Sequence, residues 1–221
     1  MEYTIKSYVG EKTYRRCAVI NYNLEVPIFE RSLIASRINK AINSHIERII
    51  KNAEGTLYVK SCKRFDILGK YNCFTESKIS TNFQVMRNSF PLLSLFVDIF
   101  YDMSEDGQYY ERIVQNWDLQ KGIQINFSNL ISGNRRSVSK CMEVVSRCIE
   151  SFEKEIGTHC NPNWREHALN SMKNGRFYLT DDGIALWFKY GSITSGIWGI
   201  PTLHFKASEL EGIINKKYFN N

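Results

Sequence analysis

Five carboxylates sit where chemistry could be done. Asp102, Glu105 and Asp106 share one loop (DMSEDGQ), and Asp181 and Asp182 stand side by side before Gly183. Carboxylates in one loop can hold a hard cation through oxygen. Two of them at glycosidase separation in one cleft could divide a hydrolysis between them. The spacing of the first set is not the EF-hand pattern, and a solvated turn accounts for it. A hairpin turn accounts for the second, because Asp-Gly between apolar runs suits a type I′ turn with positive φ. His159-Cys160 with His167 offers zinc-binding atoms at a spacing that fits no standard module, and no Cys-x-x-Cys occurs. His45 has no second ligand at i+4 and reads as a half-buried core histidine. Ser195-Gly196 lacks the Gly-x-Ser-x-Gly elbow, and no Walker or Rossmann glycine pattern is present. No catalytic residue, metal or cofactor is assigned.

Aromatic side chains form the other candidate. Tyr190, Ile193, Ile197 and Trp198 lie in or beside a loop punctuated by Gly191, Gly196 and Gly199, and Tyr101, Tyr109 and Tyr110 flank the acidic loop. Aromatics on loops supply large contact area at low entropic cost, although each could equally pack on the body of the domain. The expected recognition face combines Tyr190, Ile193 and Trp198 with Asp102, Tyr109 and Tyr110.

Composition limits the classes. The chain has 221 residues, 43% hydrophobic and 13% aromatic, enough for one generous domain or two small ones. Charged residues make up 24%, close to the globular average of about 25%. The net charge of +6 comes from 29 basic and 23 acidic residues without a long basic cluster, so no nucleic-acid groove is expected. No apolar run reaches the roughly 18 residues of a membrane span. The N-terminal stretch has no apolar segment of signal-peptide type, so a cytoplasmic location is expected if Met1 is native, and an exported one otherwise. The six cysteines are then expected as reduced thiols.

These side chains must be positioned by sheets and helices. Residues 1–17 read as an irregular or edge segment. Ile20, Tyr22, Leu24, Val26 and Ile28 alternate with polar residues as a half-buried strand, and Pro27 marks an edge or strand end. A helix is expected from Arg31 to Ala53, with isoleucines stepping by four and Gly55 as its cap. Residues 57–87 read as two strands, near Leu57–Leu68 and Ile79–Val85. Leu92–Tyr101, apolar on both faces, is expected at the centre of a sheet. Tyr109–Leu119 follows as a strand, and Ile123, Ile125 and Phe127 begin another. A second amphipathic helix spans Ser137–Ile156 and stops at Gly157. Asn163 to Glu166 resembles a capping box opening a short helix to Met172. The chain closes with a hairpin (Arg176–Thr180, Ile184–Tyr190), a strand over Ile200–Phe205 and a helix start at Ser208-Glu209-Leu210-Glu211. The class is α+β: antiparallel sheets packed against two long amphipathic helices, with a C-terminal β-hairpin plus strand. The N-terminal portion is expected over about 1–90 and the C-terminal portion over 91–221.

The closing block resembles a known family. FYLTDDGIALWF, Tyr190-Gly-Ser-Ile-Thr-Ser-Gly196 and IPTLHFKASEL are similar to the last block of the RsiV-like domain. That domain occurs in a lysozyme-sensing anti-sigma factor and ahead of the catalytic module of the peptidoglycan deacetylase PdaC. Asn116 to Gly122 (NWDLQKG) resembles the family's aromatic-Asp-Leu-x-x-Gly turn, and Ser128-Asn129-Leu130 its sequel. Ile20 to Ala53 resembles the start of the companion domain of unknown function. In place of the family's Gly-Ala-His-like stretch stands Asp102–Tyr110, and the loop after Tyr190 lacks the usual proline. The resemblance implies a binding or sensing α+β domain without catalysis of its own, with a lysozyme-like protein or a glycan as partner. The alternative is a cell-wall or carbohydrate-active hydrolase using the loop carboxylates.

Overall fold

The computed structural model describes residues 1–30, 32–71, 73–104, 107–131 and 133–219. The chain is mixed α+β. One sheet has six strands in the order β1-β2-β3-β4-β5-β6, and another has three in the order β7-β8-β9. The strands of the first are β1 (Tyr3–Tyr14), β2 (Cys17–Phe29), β3 (Ser77–Ser89), β4 (Leu92–Asp102), β5 (Gln108–Asp118) and β6 (Ile123–Gln124). Those of the second are β7 (Phe177–Leu179), β8 (Gly183–Trp187) and β9 (Thr202–Lys206). The helices are α1 (Leu33–Asn52), α2 (Tyr58–Leu68), α3 (Phe127–Leu130), α4 (Arg135–Ile156) and α5 (Trp164–Lys173). Two compact units emerge, residues 1–84 with 97–113, and residues 85–96 with 114–221.

In the first unit β1 and β2 form an antiparallel hairpin, from Tyr3 opposite Phe29 to Tyr14 opposite Cys17. The segment expected as irregular or edge is thus a strand at the end of the sheet, with one register shift between Lys12 and Thr13. Tyr22, Leu24 and Val26 of β2 are buried, as is the stripe Ala35, Ile38, Ile42, Ile46 and Ile49 of α1, the helix that packs beside β2. Each fully buried aliphatic side chain contributes about 1.5–3 kcal/mol relative to exposure. Ser32 caps α1 by accepting the Ala35 N–H at 2.9 Å. Asn39 grips the end of β2, accepting from Phe29 N at 2.9 Å and donating to its carbonyl at 2.8 Å.

The strand expected over Leu57–Leu68 is instead helical. The chain leaves α1 through one π-helical turn (Ala53–Leu57) and runs directly into α2, so Gly55 caps nothing. Leu57, Ser61, Arg64 and Leu68 take the covered side, while Val59 and Ile67 are exposed. Two of the four inward residues are polar, which hides the helical period. Arg64 donates to Met103 O at 2.6 Å, Thr75 O at 3.0 Å and Ser77 Oγ at 2.9 Å, so its charge is held by acceptors from neighbouring segments. This helical connection makes the β2–β3 pair parallel, with Ile20–Asn23 opposite Ser77–Ser80.

In the second unit the three-stranded sheet is covered on both faces. Phe177, Leu179, Ile184, Leu186, Leu203 and Phe205 join the core formed with α4 and α5. Tyr178, Ala185 and Trp187 pack with Phe96. Cys141, Val144, Val145 and Ile149 give α4 its buried stripe, and Gly157 ends it at φ 69°, a left-handed value that glycine adopts without strain. The six cysteines are free thiols.

Several local expectations are corrected here. The strand begun at Ile123 lasts two residues before Asn126 starts α3. Asn163 precedes α5 without a side-chain capping bond. The 3₁₀ turn after β9 begins at Ala207, with Glu209 Oε2 accepting the Lys206 N–H at 2.9 Å, so Ser208 lies inside it. The Asp181-Asp182-Gly183 turn has no positive φ. Gly183 is required for space instead, because a Cβ there would lie 2.1 Å from the Phe205 carbonyl oxygen.

Candidate functional site

The loop from Phe188 to Pro201 is built around its backbone. Phe188 N donates to Pro201 O at 2.9 Å, and Ser192 N to Lys189 O at 3.0 Å. Asn161 ties in the middle, with its N–H on Ile193 O at 2.8 Å and its side-chain amide on Ser192 O at 3.0 Å. Ile193 is 0% exposed and belongs to the core, so it anchors the loop rather than offering a contact. Tyr190 is half-buried, with its ring against Gly196. On this support a 3₁₀ turn, Gly196–Trp198, projects Ile197 at 83% exposure and Trp198 at 44%. Ile197 is the residue that the expected face left out. Its signal was the same glycine bracket, but an isolated isoleucine in a sequence gives no sign of facing outward.

The acidic loop lies in the other unit. Asp102 Oδ1 accepts the Ser104 N–H at 3.1 Å, and Ser104 Oγ reaches Thr75 O at 3.1 Å and Glu76 O at 3.0 Å. Glu105 and Asp106 lie outside the described residues. Tyr109 stacks on buried Tyr101, with centroids 4.4 Å apart and planes 9° from parallel, and Tyr110 packs on Phe100 at 4.8 Å. Burial, then the Glu111 carboxylate, pushes both the Tyr101 and Tyr109 phenols up, so both stay neutral at ordinary pH. Tyr109 also borders a cavity of about 590 Å³ whose lining includes the apolar Leu57 and Ile67 and the cationic Lys60, Lys63 and Arg64.

Within the second unit a further cavity of about 710 Å³ is lined mainly by Phe127, Ile131, Val138, Cys141, Leu169 and Met172. Burial pushes the Cys141 thiol up to about 12, which removes it as a nucleophile. Asp181 and Asp182 are exposed in the hairpin turn, and Asp182 Oδ1 accepts from Thr180 Oγ1 at 3.1 Å. His159 reaches Glu153 at 3.2 Å, while Cys160 is buried. Among the described residues no three His, Cys, Asp or Glu side chains gather to hold a metal ion. Nor, among them, is any helix long and apolar enough to cross a membrane.

Two solved structures share this architecture. A DUF3298 family member from Bacteroides fragilis matches with a TM-score of 0.59 and 11% identity, over 96% of this chain and 94% of that one. A DUF3298 family protein from Pseudomonas aeruginosa matches with a TM-score of 0.62 and 12% identity, over 100% of this chain and 98% of that one. The chain has the DUF3298 fold. No family model and no curated protein matches the sequence. At such identity the DUF3298 fold carries architecture and no residue roles. The chemistry of the loops described above is therefore read from this chain alone.

Proposed function

We propose that this chain is a non-catalytic binding domain that recognises a protein partner through Ile197 and Trp198, with Tyr190 as the support beneath them. The single observation that carries this reading is the pair of large apolar side chains held in solvent on a short turn whose flanks are pinned. A pre-formed turn loses little entropy on binding, and a partly exposed Trp is a favoured interface anchor. Tyr109, beside the cavity with Lys60, Lys63 and Arg64, is a second candidate contact, whereas Tyr110, the next residue of β5, turns to the opposite face of the sheet. The sequence resemblance to the RsiV-like domain favours a lysozyme-like partner, with a glycan as the other choice.

Calorimetry of the purified chain with lysozyme and with peptidoglycan fragments tests the proposal. Micromolar or tighter binding that is lost in Trp198→Ala and retained in Tyr110→Ala supports it. Binding that survives Trp198→Ala moves the site to the Tyr109 contact. Release of new reducing ends from the peptidoglycan favours the hydrolase reading instead.

A further inference from the structure

We propose that β1 pairs antiparallel with β1 of a second copy of this chain, about a two-fold axis at Ser7. β1 ends its sheet, so one side of its backbone has no neighbouring strand among the described residues. The Glu30 N–H bonds the Glu2 carbonyl at 3.4 Å, which sets the phase of the ladder. Even-numbered residues of β1 turn their N–H and C=O toward β2. Odd-numbered ones, Tyr3 to Glu11, turn theirs outward. The open stretch stops at Thr13, whose carbonyl accepts the Tyr58 hydroxyl at 3.1 Å.

Long open edges invite pairing, and proteins usually blunt them with lysine. β1 carries Lys6 and Lys12, so the register decides whether they block. An axis at Lys6 sets that residue against itself, and an axis at Val9 sets Lys6 against Lys12. An axis at Tyr8 sets Ile5 against Glu11. With the axis at Ser7, Lys12 faces Glu2, Lys6 faces Tyr8 and Ile5 faces Val9. Ile5 and Val9, the most exposed apolar residues of the strand at 60% and 70%, then cover each other twice across the interface. Opposite charges and apolar pairs set directly across a ladder are the favourable combinations. Five closely spaced pairs would form, or about ten backbone hydrogen bonds. The complementarity is of the strand to itself, which selects a second copy over a foreign peptide.

The test uses the full chain. Sedimentation across a concentration series is expected to show a monomer–dimer equilibrium. Ile5→Lys combined with Val9→Lys sets lysine against lysine and is expected to weaken the dimer by tenfold or more, with an unchanged melting temperature at concentrations where the native chain is monomeric, because both sites are exposed. Register is read by cross-linking, with Cys17 and Cys73 replaced by serine. Ser7→Cys places two thiols at an axis where backbones lie about 5.5 Å apart, within disulfide range. It is expected to cross-link on mild oxidation, and Val9→Cys is not. A chain that stays monomeric at every concentration overturns the proposal. So does Val9→Cys cross-linking as fast as Ser7→Cys, or a monomer whose edge captures an unrelated strand peptide.

Discussion

The Tyr190 ring lies so close to Gly196 that a Cβ on that glycine would sit 2.5 Å from the hydroxyl oxygen and 2.6 Å from Cζ. The turn that lifts Ile197 and Trp198 into solvent therefore rests on an aromatic ring in contact with bare backbone. Gly196→Ala must displace the ring or the turn. It is expected to reduce partner affinity about tenfold or more while changing stability little, since the group that must yield is the far end of the half-buried Tyr190 side chain. Calorimetry beside thermal melting separates the two effects. Trp198→Ala is expected to cost at least about 2 kcal/mol of binding if Trp198 is an anchor, again with an unchanged melting temperature.

A buried polar relay holds β7 in place. Ser94 Oγ accepts the Leu179 N–H at 2.8 Å and donates to Asn116 Oδ1 at 2.7 Å, and Asn116 Nδ2 donates to Phe177 O at 2.9 Å. Ser94→Ala leaves a buried N–H and a buried amide oxygen short of partners, at an expected cost of about 1–3 kcal/mol. Asn116→Ala is expected to cost a similar amount. The double variant is expected to lose less than the sum of the two, which a denaturant-unfolding cycle measures.

Acid sensitivity is expected from Asp118. Burial pushes its carboxyl up, but the Lys217 ammonium at 2.8 Å and the N–H groups of Lys121 and Gln120 outweigh that and hold it below the usual carboxylate value. A depressed folded-state pKa stabilises the fold above the unfolded value of about 3.9, and the gain is lost as pH falls through the folded value. Asp118→Asn should therefore lower the melting temperature at pH 7 and flatten its dependence on pH below about 4. An unchanged acid limb would remove Asp118 as the cause.

Thiol reactivity should divide sharply by burial. Cys17 and Cys73 are exposed, whereas burial raises the Cys141 and Cys160 thiols to about 12 and about 11. Alkylation followed by peptide mass spectrometry is expected to label Cys17 and Cys73 first, and Cys141 and Cys160 only on unfolding. Early labelling of Cys141 would show that the core around α4 opens.

Gly183→Ala is expected to destabilise the closing sheet by about 1–3 kcal/mol, the usual range for forced overpacking, because the Phe205 carbonyl occupies the space its Cβ would need. Asp182→Asn in the same turn should be near neutral, and a melting comparison of the two variants checks this.

What the sequence by itself determined was whatever repeats along the chain. The isoleucines of α1, the alternation of β2, the doubly apolar β4 and the stripe of α4 with its Gly157 stop were all legible, because a helix or strand face leaves its period in the residues that build it. Residues 57–68 failed for the same reason. Leu57, Val59 and Ile67 alternate like a strand, while Ser61 and Arg64, two of the inward residues of α2, are polar and find their partners at Ser77, Thr75 and Met103. Only the tertiary structure assigned Gly183 to a close approach, buried Ile193, and set Ile197 and Trp198 outward. Each of those outcomes depends on what a distant segment places beside the residue, and spacing along the chain holds no record of that.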